Sequence, residues 1–371
     1  MENEQIDTYS TIRIKHIIDP LWSKPAIIQH GHRLVIFMEL PTDNIEQFDI
    51  LLESDHCHYS LKVEHIIKDT NTPIAMDNAK NKDQSSIYRI ECKISPNIMP
   101  DLYSLKAAWE NGSDFMPNAV RVVDGFSNNF TFIHITDPHV CSALEDESEE
   151  YLKRAVKRIN EVNPEFVLLT GDIASRYDED KQPLDAQIIE HDYKLVQQIL
   201  LELKVPLFIT AGNHDLAFDF IRDFYREYIA RPVKGKSLDY AFSFGDHKFI
   251  TFEGFCHYDY ETLAMVDKSL TLDQLKWLQS ELNSAQNALS RILFYHYDYK
   301  EQLPPLFDRY NINLALRGHS GPTEEFIIGN TPTTLMVDKG VRGDRHICII
   351  DVSTDPNTGK TEFTRALSRL I

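Results

Sequence analysis

Residues 130–140 read FTFIHITDPHV. An apolar run of strand composition stops abruptly at Asp137 and His139, two metal-ligand side chains one residue apart. A buried strand holds its backbone still, and an α/β sheet presents chemistry at the carboxyl ends of its strands. The same grammar recurs four times downstream. LLTGD ends in Asp172, PLFITAGNHD in Asn213, His214 and Asp215, RILFYH in His296, and NLALRGH in His319.

Outward from that stretch the hydrophobic period changes. Downstream, Glu147 to Asn160 carries Leu152, Val156 and Ile159 at helical spacing, with acids in its first turn to complement the helix dipole. Strand FVLLT follows Pro164. Helices are expected over 184–203 and 218–230, a β-hairpin over 237–254 around Gly245-Asp246, and an amphipathic helix over 271–285 with Thr271 as N-cap. Alternating β and α segments predict an α/β sheet with helices on both faces.

Upstream, residues 1–125 read as β-rich. The runs 11–18, 33–40, 48–54, 59–67, 86–94, 102–109 and 118–124 are separated by Pro, Asn, Asp and Gly clusters, which predicts a β-sandwich of immunoglobulin-like size. Segment 69–86 reads as a long polar connection and VVDGFSNN (122–129) as a junction. Two domains are expected, 1–125 and 126–371.

Composition narrows the partners. The 371 residues carry a formal charge of −19, and no Lys/Arg-rich run stands out. A duplex nucleic-acid groove or an anionic membrane surface is therefore not expected as a partner. No apolar stretch is long enough for a membrane span. The N-terminus shows no basic region followed by an apolar one, so a cytoplasmic location is expected, or an extracytoplasmic one if a leader has been removed. Five scattered cysteines without a CxxC pair argue against a disulfide scaffold.

Asp137, His139, Asp172, Asn213, His296 and His319 are all oxygen or nitrogen donors at or just past a strand end. Such a mixed set suits Zn²⁺, Fe²⁺ or Mn²⁺. One carboxylate, Asp172, can bridge two ions, and a pair about 3.5–4 Å apart clamps a phosphate and activates a water. His214 is the natural imidazole for stabilising charge or protonating a leaving oxygen, with Asp215 as the candidate partner that would raise its pKa.

The ordered motifs Asp137-x-His139, Gly171-Asp172, Gly212-Asn213-His214-Asp215, a strand-terminal His296 and Gly318-His319 resemble those of the calcineurin-like metallophosphoesterases. The resemblance covers roughly 130–340, and TLDQLKWLQSEL looks like that family's helix. It implies a four-layer α/β/β/α sandwich and two divalent metal ions (Mn, Fe or Zn). Asp137 and His139 would bind one ion, Asp172 would bridge, and Asn213, His296 and His319 would hold the second. His214 would be the catalytic histidine and Asp215 its orienting partner. The implied activity is hydrolysis of a phosphomonoester or phosphodiester by metal-bound hydroxide. The alternative is a weak or inactive relative that serves as a binding module.

The chain departs from the family pattern once. The last motif usually reads Gly-His-x-His, whereas here it is Gly318-His319-Ser320-Gly321. Position 321 supplies no ligand, so the first site is expected to be labile and the second firm. Purple acid phosphatases, also of this superfamily, lack the first-motif histidine and carry a tyrosine three residues after the Gly-Asp aspartate. Here His139 is present and Ser175 stands at the tyrosine position.

Other polar residues have plainer readings. His134 is expected to be packed within its strand. His30/His32 and His56/His58 lack third and fourth ligands and are expected to be structural. Arg176, Tyr177, His257, Tyr258 and Tyr297 lie in strand-end loops and are candidates for substrate contact.

Overall fold

A computed structural model describes residues 11–41, 45–69, 85–144, 146–177, 182–232, 237–253, 255–258, 265–299, 302–321, 323–328, 333–338 and 340–371. Most of the expected polar connection 69–86 lies outside the described residues.

Among the described residues, eight strands precede residue 125: β1 (Ile17–Asp19), β2 (Ala26–Gln29), β3 (Arg33–Pro41), β4 (Asp49–Glu53), β5 (His58–Asp69), β6 (Ser85–Lys93), β7 (Asp101–Trp109) and β8 (Gly112–Val123). They pair in the order β1-β3-β6-β5-β4-β7-β8-β2. The long strand β5 makes this array continuous. Its first residues, His58–Leu61, pair with β4, and Lys62–Asp69 pair with β6 across an irregularity between Val63 and His65. A bulge of this kind turns a strand and lets it serve two neighbours. Period-two burial shows in β7, where Tyr103, Leu105 and Ala107 are buried and Lys106 between them is exposed. The expected strand over 11–18 shrinks to β1. The four-residue β2, just after Pro25, is too short to announce itself in the sequence.

Two further sheets follow. Strands β9 (Phe130–Ile135), β10 (Phe166–Thr170) and β11 (Leu207–Thr210) are parallel. The C-terminal hairpin β20 (His346–Thr354) and β21 (Thr361–Arg369) extends them to β11-β10-β9-β20-β21. The next sheet takes the order β12-β13-β16-β17-β19-β18. It comprises the hairpin β12 (Tyr240–Phe244) and β13 (His247–Thr251), then β16 (Ser290–Tyr295), β17 (Leu314–Arg317), β18 (Glu324–Ile328) and β19 (Thr333–Val337). A separate hairpin, β14 (Phe255–Tyr258) with β15 (Met265–Ser269), lies between β13 and β16 in the chain.

The helices are α1 (Ser148–Val162), α2 (Ala186–Leu200), α3 (Asp219–Tyr228), α4 (Leu272–Ser284), α5 (Pro304–Tyr310) and the short α6 (Gly340–Gly343). Thr271 caps α4 as expected, and Gln274 completes a reciprocal capping box.

Apolar side chains on alternate strand positions divide among three cores. Phe132, Phe166, Leu168 and Phe208 pack against Phe249, Phe294, Leu316 and Met336, joining the inner faces of the two later sheets. Phe208 and Phe242 stack at 3.8 Å between ring centroids. Ile133, Leu169 and Ile209 face the buried sides of α1 to α3. Leu293, Tyr295 and Ala315 face α4 and α5. The N-terminal strands are tied to the same body: Trp22 Nε1 donates to Tyr228 O at 3.0 Å, and Ile209 N donates to Ser23 O at 2.9 Å. None of the described helices is long and apolar enough to cross a membrane.

Candidate metal centre

The parallel strands β9, β10 and β11 end side by side, and their loops remain locked together past the sheet. Asp137 N donates to Gly171 O at 3.1 Å, His139 N to Asp172 O at 3.0 Å, and Val140 N to Ile173 O at 3.1 Å. Asp137, His139, Asp172 and His319 all take left-handed backbone conformations, with φ of 50°, 47°, 54° and 70°. Such conformations are costly for residues other than glycine and cluster at functional sites.

Glycines allow the loops to approach. A Cβ on Gly212 would overlap the Asp172 carboxylate. One on Gly318 would overlap Thr136 Oγ1 and Asp137 Oδ2. These two glycines are therefore required by ligands of other motifs, Asp172 and Asp137.

The donor atoms converge on Asp172. Its Oδ1 accepts from His214 N at 2.7 Å, which leaves Oδ2 to face the imidazoles. Oδ2 lies 3.0 Å from His296 Nε2, 3.6 Å from His139 Nε2 and 4.0 Å from His214 Nε2. On one side, Asp137 Oδ1 stands 3.4 Å from His139 Nε2. On the other, Asn213 Oδ1 stands 3.0 Å from His296 Nε2 and 2.7 Å from His319 Nδ1. Two compact groups result, His139/Asp172/His214 and Asp172/His296/His319, which share Asp172.

The second group is oriented from behind. His296 Nδ1 approaches Thr170 O at 2.6 Å and donates to it, so Nε2 is the atom turned to the site. Asp137 Oδ2 is held by Thr136 Oγ1 at 2.6 Å and His319 N at 3.1 Å, which turns Oδ1 inward.

Charge follows this geometry. Burial opposes ionisation of Asp172, but His296, His214 and His139 outweigh it and hold its pKa well below the carboxylate range. Burial works against a charged His296, yet Asp172 and Asp137 raise its pKa to about 9. Burial, reinforced by His296, lowers His319 to about 4. The cluster is a set of nitrogen and oxygen donors that needs positive charge at its centre, and its chemistry fits divalent cations.

One expectation meets a different geometry. Asp215 does not contact the ring of His214, whose Nδ1 is buried without a hydrogen-bond partner. Instead Asp215 Oδ2 accepts from the amides of Asp172 and Gly212, both at 2.8 Å. Its Oδ1 accepts from Ile173 N and the Tyr193 hydroxyl, both at 3.2 Å. Correspondingly, burial holds His214 well below the usual imidazole range instead of a carboxylate raising it. A side chain reaching back to its own loop serves the backbone before it can serve its neighbour.

Gly321 stands where the family's last ligand is expected. Its φ is 117°, and a Cβ there would point to Val337 Cγ1 at 3.4 Å and Arg317 Nη2 at 3.7 Å.

Among the plainer candidates, His134 is fully buried, with Nε2 2.8 Å from Thr170 Oγ1. His30, His32, His56 and His58 enter no metal-compatible group among the described residues. Arg176 is buried and donates to Asn213 O at 3.3 Å, with its guanidinium 4.6 Å from the centroid of the Tyr177 ring. Tyr177 sets its ring edge-on to His214, and Tyr297 packs on His319 at 4.5 Å between centroids. The side chains of His257 and Tyr258 lie outside the described residues. Sequence reading passed over Thr136, Thr170, Tyr193 and Arg317, which hold ligand-bearing loops. The two threonines had one available signal, as polar residues closing apolar strands just before Asp137 and Gly171.

The sequence model of the family named calcineurin-like phosphoesterase matches residues 130–322, just over half of the chain. The chain belongs to that family. It is accordingly a hydrolase acting on ester bonds, with phosphate esters as its substrates. It is 25% identical over 218 residues to a probable cyclic nucleotide phosphodiesterase of Vesicomyosocius okutanii, covering 53% of this chain and 81% of that protein. Among solved structures it is similar to a purple acid phosphatase from yellow lupin (Lupinus luteus), with TM-score 0.54 and 12% identity over 97% of this chain and 75% of that one. It is also similar to a dimetal phosphatase from Danio rerio, with TM-score 0.52 and 11% identity over 65% of this chain and 99% of that one. At these identities the likeness is one of fold. The lupin match extends it through the N-terminal strands.

Proposed function

We propose that this family member is a two-metal phosphoesterase hydrolysing a phosphomonoester or phosphodiester. A β-sandwich of immunoglobulin-like size (1–125) would precede a four-layer α/β/β/α catalytic domain (126–371). The observation that carries this reading is Asp172 Oδ2, a single carboxylate oxygen within 4.0 Å of three imidazoles from three separate loops. Asp137, His139 and Asp172 would hold one ion, and Asp172, Asn213, His296 and His319 the other. Bound there, divalent ions such as Mn, Fe or Zn would neutralise phosphate charge and lower the pKa of a coordinated water.

The chain's own residues define what remains. The backbone bond from His214 to Asp172 Oδ1 leaves Oδ2 as the shared donor. His214 lies across the first group from His139, 4.5 Å away between ring centroids. Burial keeps it neutral, and the arriving phosphate anion favours the imidazolium that protonates the leaving oxygen. Without a fourth ligand at position 321, the first site keeps three protein donors and is the weaker of the two.

The test is hydrolysis of an aryl phosphomonoester and an aryl phosphodiester by metal-stripped protein titrated with Mn²⁺, alongside His214→Ala. Turnover should appear with metal, rise in two steps, and fall steeply in the variant. Absence of turnover on both esters with Mn²⁺, Fe²⁺ and Zn²⁺ would overturn the reading.

A further inference from the structure

The chain carries a formal charge of −19, yet one groove on it is cationic. It runs between α1 and the C-terminal part of β21 and holds about 680 Å³. Arg154, Lys157, Arg158 and Glu161 line its helix wall and Arg369 stands at its strand wall, four cations against one side-chain carboxylate. The three helical cations fall at i, i+3 and i+4, hence on one face.

Arg158 is already engaged, donating to Ser368 Oγ at 3.0 Å and to Glu161 at 3.1 Å, and so fastens the helix to the strand. Arg154, Lys157 and Arg369 have no carboxylate partner among the described residues. Next to the groove, the guanidinium groups of Arg154 and Arg345 both face the Tyr151 ring, 5.4 and 4.6 Å from its centroid. These contacts position the groups through their planes and leave N–H donors free.

The opposite wall is a sheet edge. Among the described residues, strand β21 pairs with β20 alone, at the end of its sheet. The last three residues of β21, 367–369, and the two that follow it border the groove; just past the strand, Leu370 N already donates to Arg345 O at 2.7 Å. Leu367 is 50% exposed, an apolar side chain beside the cations.

We propose that this groove docks an extended acidic peptide segment of a partner protein, added as a further strand on β21. Its carboxylates would meet Arg154, Lys157 and Arg369, and its apolar side chains would cover Leu367. A free strand edge supplies main-chain hydrogen bonds, and pockets for alternate side chains supply selectivity. Cations alone would equally suit a phosphate polymer, but an open strand edge and an exposed leucine contribute nothing to one. The overall negative charge repels an acidic partner at long range, so attraction comes from contacts inside the groove, within a Debye length of about 8 Å at physiological salt.

The experiment uses the full chain and a fluorescein-labelled peptide of about ten residues, the span of a strand, alternating Glu and Val. Anisotropy is read at physiological salt, with a Lys/Val peptide and inorganic polyphosphate as comparisons. The Glu/Val peptide should bind. Affinity should fall about tenfold or more both in the Arg154→Glu/Lys157→Glu double variant and in Leu367→Asp. Melting temperature and turnover of a small aryl ester should stay unchanged. Equal binding of the Lys/Val peptide, unaltered binding by both variants, or capture of polyphosphate with no binding of the Glu/Val peptide would each overturn the proposal. So would concentration-dependent dimerisation abolished by the same variants, which would make a second copy the occupant.

Discussion

The carboxylate of Asp215 is bonded to the backbone amide of Asp172, Oδ2 to N at 2.8 Å, and spans the two loops that carry Asp172, Asn213 and His214. Through the same oxygen it holds Gly212 N. It acts as a staple between the Gly-Asp and Gly-Asn-His-Asp loops. Removing it would strand three buried N–H groups at once. Asp215→Ala should lose about 3–5 kcal/mol of stability, read from urea unfolding, and should weaken Mn²⁺ binding at both sites. Tyr193→Phe removes only the hydroxyl bond and should cost about 1 kcal/mol. If Asp215→Ala instead retained stability and metal affinity while losing turnover, Asp215 would be acting through His214.

Asp172 belongs to both donor groups, so its loss should not be confined to one ion. Asp172→Asn keeps an acceptor toward His214 N but removes the negative charge facing three imidazoles. Calorimetric titration with Mn²⁺ should lose both binding steps, with turnover down by about 100-fold or more. Loss of one step with the other intact would show that the ions do not share this residue.

Gly318 gives the tightest approach in the His319 loop. A Cβ there would meet Thr136 Oγ1 and Asp137 Oδ2, the very groups that turn Asp137 inward. Gly318→Ala should shift Asp137 and His319 together, reducing affinity at both sites about 10–100-fold, with circular dichroism unchanged. A variant with wild-type metal binding would show that the loop relaxes freely.

Glu253, two residues past β13, provides a pH test at a carboxyl outside the ligand set. Burial, reinforced by the charge of Asp239, raises its pKa to about 7. An acid raised in the folded state binds more protons folded than unfolded across that window. Its contribution to stability is therefore fully present below about pH 4.5 and is lost as pH rises through about 7. Glu253→Gln should remove this dependence. Relative to wild type it should gain stability between pH 4.5 and pH 8, by up to about 3 kcal/mol. Parallel urea-midpoint profiles for the two proteins would contradict this.

Much of the centre was legible because strand composition and donor residues lie adjacent in sequence. FTFIHITD and LLTGD state both the scaffold and the ligand in a few letters. What was not legible depends on atoms distant in the chain. Nothing in Gly212-Asn213-His214-Asp215 says that Asp215 turns to the backbone of residue 172 and not to the adjacent imidazole. Tyr193, mid-helix, reads as core until its hydroxyl is found on Asp215. The same limit applies to the N-terminal strands. The positions of the longer strands follow from alternation, but the short β2 and the extent of β1 do not, and the division of β5 between two neighbours depends on pairing register, which composition does not encode.

Position 321 separates a missing ligand from a misdirected one. Were the loop merely truncated, Gly321→His would restore a nitrogen donor to the first ion. The backbone argues otherwise. At φ 117° residue 321 occupies a region that suits glycine, and its Cβ vector leads to Val337 and Arg317. Arg317 itself donates to Gly318 O at 3.0 Å and Ser320 O at 2.9 Å, holding the turn in this form. Gly321→His should therefore cost about 1–3 kcal/mol in stability from backbone strain and leave first-site Mn²⁺ affinity no tighter than in wild type. A tighter first step in the titration, with turnover rising at lower metal, would show that the turn can rearrange and that the glycine alone makes the site labile.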